Sequence, residues 1–151
     1  TWFQWVFDLR PMWYYVGTVG EVFHTISCFS NPLLTWAGVP AILFTTYHAL
    51  FKKDTVAWYI VVGYFSGLLP WIIYVHRIVF AYHFYPTSLF TIIAIVYCIY
   101  HLQERKYQIV VPVYLAFYLI LFILFLPVIT GFGTTVQFAK FLAWLPGWYF
   151  G

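Results

Sequence analysis

Arg77 stands with His76 and His83 inside an almost unbroken apolar and aromatic stretch, Leu69-Pro70-Trp71-Ile72-Ile73-Tyr74-Val75-His76-Arg77-Ile78-Val79-Phe80-Ala81-Tyr82-His83-Phe84-Tyr85-Pro86. A guanidinium held beside hydrocarbon is costly unless it is paired, and the stretch contains no acid to pair it. A lipid-linked phosphate would match the fork of N–H donors, and the apolar walls would suit a polyprenyl tail. The competing reading is an arginine that snorkels to ordinary lipid headgroups. His76 and His83 equally suit single hydrogen bonds at the membrane interface. Two histidines without a nearby carboxylate do not make a metal ligand set, so no metal and no cofactor are expected.

The remaining ionisable groups offer little chemistry. Asp8 lies two residues before Arg10, a spacing that predicts a local ion pair orienting the aromatic segment that follows. Glu21 and His24, one helical turn apart, are placed to hydrogen-bond at the interface. No two acids are adjacent, so the paired carboxylates of general acid–base chemistry are missing and no catalytic residue is expected in this chain. Cys28 and Cys98 have no metal-ligand spacing and read as small apolar side chains.

The elements that must position these residues follow from composition. Hydrophobic residues make up 64% of the 151 and charged residues only 7%, with a mean hydropathy of +0.87. A soluble domain has about a quarter of its residues charged, so lipid must cover most of this surface. The formal charge of +3 is scattered and gives no reason to propose a nucleic-acid partner. Four apolar runs have the roughly 20 residues a bilayer requires: Leu33–Phe51, Val56–Val75, Phe84–Leu102 and Ile109–Thr130. Asn31-Pro32 supplies an N-cap and a first-turn proline. Pro40 and Pro70 fall inside runs and predict kinks, Pro127 weakens the end of the fourth, and Gly63 with Gly67 forms a small-xxx-small pattern suited to close helix approach. The fold expected is an all-α membrane protein: an interfacial segment over 1–30, four transmembrane helices within 31–135, and an interfacial tail over 136–151. Both end segments are rich in aromatic residues.

Lys52, Lys53, Arg105 and Lys106, four of the seven basic residues, sit in the first and third connections. The positive-inside rule places both in the cytoplasm. The second connection and both chain ends then lie outside, where Trp2, Trp5, Trp13, Trp144 and Trp148 would favour the headgroup layer. This separates Cys28 from Cys98, which should not pair. The four predicted runs contain no Asp, Glu, Lys or Arg, which disfavours a transporter.

The stretch Leu69–Pro86 resembles the segment of protein O-mannosyltransferases that carries a leucine-proline, an arginine and then an aromatic-histidine-proline run. The Phe7–Tyr15 stretch, followed by Ser30–Ile42, resembles the entry to that family's carboxy-terminal membrane domain, and Phe141–Gly151 its aromatic tail. The three segments occur in the family's order and together reach over essentially the whole chain. The resemblance implies a GT-C-type enzyme moving mannose from polyprenyl- or dolichyl-phosphate-mannose to Ser or Thr of acceptor proteins, on the outer face of the membrane. It implies that Arg77, with Tyr82, His83 and Tyr85, lines the carrier-lipid site; His76 beside Arg77 joins these candidates from the stretch itself, and Asp8, Arg10 and Glu21 are the candidates the residues offer in the outer segment. The family's histidine pair reads Tyr82-His83 here, so nothing in this reading rests on the first histidine of that pair. The family's Asp-Glu pair lies upstream of the matching region. The chain begins at Thr1 rather than Met, and is expected to be an inert piece of a larger enzyme whose amino-terminal part supplies that pair. A multi-pass protein of a bacterial plasma membrane, with its carboxy terminus outside, is the expected setting. The alternatives are a non-catalytic membrane subunit or scaffold, and a related transferase using another sugar.

Overall fold

The computed structural model describes residues 2–74, 80–102 and 109–150. A short helix, α1 (Trp2–Val6), leads into a hairpin of β1 (Met12–Val19) and β2 (Val22–Cys28). The long helices α2 (Pro32–Lys52), α3 (Thr55–Ile73), α4 (Tyr85–His101) and α5 (Val110–Thr130) follow, and a short α6 (Val136–Phe141) precedes the tail. Each long helix, α4 together with the turn before it, is long and apolar enough to cross a membrane. The chain is therefore mostly helical and multi-pass.

The helix ends are fixed locally. Asn31 accepts the Leu33 N–H at 3.0 Å, capping α2 one residue before its proline. Asp54 caps α3 by accepting the Val56 and Ala57 N–H groups at 2.8 and 3.1 Å. Lys53, left-handed at φ 53°, makes the tight reversal between α2 and α3. Both helices continue through their internal prolines, Pro40 and Pro70.

α2, α3 and α4 form a three-helix layer with a common core that includes Ile42, Ala49, Ala57, Ile60, Tyr64, Leu68, Ala94 and Tyr97. Glycines bring the helices close. A Cβ at Gly67 would strike Thr87, one at Gly63 would strike Phe90, and one at Gly38 would strike Thr91. The Gly63/Gly67 pattern thus faces α4, where small residues let backbones approach. α5 stands apart: only Phe125 and Val128 are buried, near its carboxy end.

The first thirty residues depart from the all-α expectation. Residues 12–28 form a two-stranded antiparallel hairpin, so Glu21 and His24 do not share a helical turn. Gly20, at φ 63°, with a non-left-handed Glu21 gives the φ pattern of a type II′ turn, which matches the twist of a two-residue hairpin. β2 buries Phe23, Thr25 and Ser27 on one face. Its backbone then pairs with Thr134 beyond α5, through Phe23 and Thr134 N–H···O bonds of 2.9 and 2.8 Å. His24 Nδ1 lies 2.9 Å from the Gly131 carbonyl. A second core, Phe23, Phe125, Val128, Leu142, Trp148 and Phe150 with Phe29 packed on it, joins hairpin, α5 and tail.

Candidate functional site

The carboxy end of α3, the amino end of α4, the hairpin and the tail meet at one end of the bundle. A 3-10 turn, Ala81–Phe84, leads straight into α4 and presents Tyr82 and His83 there. The His83 imidazole stacks on Trp71, with centroids 4.2 Å apart at 29°, and the Tyr82 ring is tilted against it with centroids 4.3 Å apart at 48°. One turn on, the Tyr85 hydroxyl lies 3.2 Å from Cys28 Sγ at the end of β2. The hairpin register shifts between Trp13 and Tyr15, a bulge at Tyr14. Bulges re-aim side chains, and Tyr14 sits beside Cys28 and Tyr82. Partial desolvation and then these two neighbours raise its phenol above the usual range.

The fold thus gathers Tyr82, His83 and Tyr85, three of the sequence candidates, with Trp71, Tyr14 and Cys28. The last three carry no local signal in the sequence: their roles depend on a stack, a bulge and a strand end. His76 and Arg77 lie outside the described residues. Glu21 is exposed at the hairpin tip. Arg10 borders a surface hollow of about 350 Å³ together with Gln4, Trp5, Met12, Trp13 and Ala81, which puts it next to the 3-10 turn.

Asp8 does not pair with Arg10. It is buried, with 6% of its surface accessible, in a left-handed conformation at φ 51°. Its carboxylate takes the Ser30 backbone N–H, and Oδ2 is buried with no hydrogen-bond partner among the described residues. Burial pushes its pKa up to about 7, the Ser30 bond opposing the rise. The reversal of the chain at Asp8 turns its side chain inward and leaves Arg10 exposed.

The opposite end of the bundle holds a second polar group. The Tyr97 hydroxyl donates to Asp54 Oδ2 at 2.8 Å and lies 3.2 Å from His48 Nδ1. His101 Nδ1 is 3.0 Å from the Tyr97 carbonyl. His48, Asp54 and His101 each bring a potential metal-ligating atom within 4.8 Å of the others. The Ala57 N–H and the Tyr97 hydroxyl, helped less by the Val56 N–H and His101, hold the Asp54 carboxyl below the usual carboxylate range against the opposing desolvation. The α2–α3 reversal, which carries Lys52 and Lys53, therefore meets the carboxy end of α4 at one end of the fold, away from His83, while Arg105 and Lys106 lie outside the described residues.

Fold and site together define a multi-pass membrane protein with an aromatic-histidine corner at one end of its helices. The chain is similar to the polyprenol-phosphate-mannose–protein mannosyltransferase of Corynebacterium glutamicum, with 26% identity over 161 aligned positions. The alignment covers 95% of this chain and 31% of that protein, so the chain spans about a third of the length of this curated relative. No protein-family model and no solved structure matches it.

Proposed function

We propose that this chain forms the carboxy-terminal membrane portion of a glycosyltransferase that moves mannose from a polyprenyl-phosphate carrier to Ser or Thr of proteins on the outer face of a bacterial plasma membrane. The similarity to a mannosyltransferase along nearly the whole chain carries this reading. In it, the end of the bundle that bears the hairpin and tail faces outward, and the end with the basic connections faces the cytoplasm. Arg77 binds the carrier phosphate. Tyr82, His83 and Tyr85 line the site, with Trp71 backing His83 and Arg10 at its rim. The apolar groove between α4 and α5, about 540 Å³ and lined by Ile92, Val96, Tyr100, Val111, Leu115 and Tyr118, suits a polyprenyl tail. No adjacent acidic pair occurs in these 151 residues, so this portion by itself carries no transfer activity.

The test is Arg77→Ala in the full-length protein that contains this chain. Carrier use should fall by about 30-fold or more, what removing one half of a desolvated charge pair costs, while membrane insertion stays intact. Unchanged transfer would sink the assignment. Labelled carriers of other sugars, offered to the same protein, decide whether mannose is the sugar moved.

A further inference from the structure

We infer that His48, Asp54 and His101 form a binding site for a zinc-class divalent transition-metal ion, at the end of the bundle opposite the aromatic-histidine corner. Three separate elements supply the ligands: His48 comes from the last turn but one of α2, Asp54 from the cap of α3, and His101 from the end of α4. One potential ligating atom from each, a ring nitrogen of either histidine and an Asp54 oxygen, already lies within 4.8 Å of the others. A tetrahedral zinc site has ligand atoms about 3.4 Å apart, so a small shift of the three side chains closes the set.

Tyr97 makes this more than a chance meeting of side chains. Its hydroxyl proton goes to Asp54 Oδ2, so its oxygen accepts from His48 Nδ1–H. Its backbone carbonyl accepts from His101 Nδ1–H. One residue thereby sets both imidazoles in the same tautomer and leaves each Nε2 lone pair free. Metal-binding histidines are oriented in this way, by a carbonyl or oxygen on the far ring nitrogen. The two rings meet edge to face with centroids 4.8 Å apart, His101 exposed and His48 half-buried, so solvent reaches the site and supplies the fourth ligand. A bound ion would clamp the α2–α3 reversal to the end of α4.

The experiment is a titration of the full-length protein in detergent micelles with Co²⁺ as a visible probe, followed by competition with Zn²⁺. Roughly one equivalent of Co²⁺ should bind with the intense visible bands of a four-coordinate site, and Zn²⁺ should displace it. His48→Ala and His101→Ala should abolish the bands, while His24→Ala and His83→Ala keep them. Tyr97→Phe should retain the ligands yet weaken affinity by roughly 10–100-fold, the usual effect of losing an orienting partner. Absence of saturable binding to the wild-type protein overturns the site. So does binding that survives His101→Ala, an exposed position whose replacement leaves the core untouched.

Discussion

The Trp148 indole donates its Nε1–H to the backbone carbonyl of Asp8 at 2.6 Å, joining residues 140 positions apart. Trp13 makes a matching bond from β1 to the Tyr149 carbonyl. Trp148 also stacks on Trp36 and meets Phe29 and Phe125 edge-on, with 1% of its surface accessible. The tail is thus part of the second core.

Truncating this side chain should be severe. Trp148→Ala is expected to destabilise the protein by about 3–5 kcal/mol. Trp148→Phe keeps most of the ring packing and loses the hydrogen bond, a cost of about 1 kcal/mol. Thermal unfolding of the purified protein in detergent should rank wild type above Trp148→Phe and that above Trp148→Ala. Equal melting of all three would show the tail to be dispensable for stability.

Asp8 should make stability depend on pH. Its carboxyl titrates near 7 in the folded protein against 3.8 ordinarily. Between those values the unfolded chain loses its proton while the folded one keeps it. The contribution is complete below about pH 4, is lost as pH rises, and is gone above about pH 7. The difference is roughly 4 kcal/mol at most. Asp8→Asn, which tolerates the left-handed backbone, should flatten this dependence and melt higher than wild type at pH 8. Identical pH profiles would mean that Asp8 is solvated.

Close helix approach at Gly67 gives a packing prediction. Gly67→Val places new methyl groups against Thr87, whose own hydroxyl is buried without a hydrogen-bond partner among the described residues. Overpacking of this kind costs about 1–3 kcal/mol. The melting temperature should fall, and Thr87→Ala in the same protein should recover part of the loss. Full tolerance of valine would show that α3 and α4 are not pressed together there.

Cys28 reports sidedness. A membrane-impermeant maleimide applied to intact cells should label Cys28, half-buried in the hairpin. A cysteine replacing exposed Lys52 should react only after permeabilisation. The reverse pattern would invert the proposed topology and remove the carrier site from the outer face.

The four long helices were legible because each needs only a run of apolar residues, and the Asn31 cap because it is written in two adjacent residues. The hairpin was hidden by its own chemistry. Trp13, Tyr14 and Tyr15 are consecutive aromatics that erase any alternation in β1, and the inward residues of β2 after Phe23 are Thr25 and Ser27, which read as polar. Their hydroxyls satisfy each other at 3.3 Å. The Asp8–Arg10 spacing pointed to an ion pair, but a single left-handed residue sends the two side chains apart. At the corner, Tyr82, His83 and Tyr85 could be named because they share one stretch of sequence. Cys28 and Tyr14 arrive from more than fifty residues away, and the His48–Asp54–His101 group draws on three elements at once.

The bonds from Asp8 to Trp148 and from Trp13 to Tyr149 also impose a parity rule on assembly. Both partners of each bond must emerge on one face of the bilayer, which demands an even number of crossings between them. A chain that failed to insert any one of its four helices would strand the two segments on opposite faces, with an unpaired indole and an open carbonyl on each. Correct insertion is thereby registered by two indole bonds that can close only after all four helices are in place.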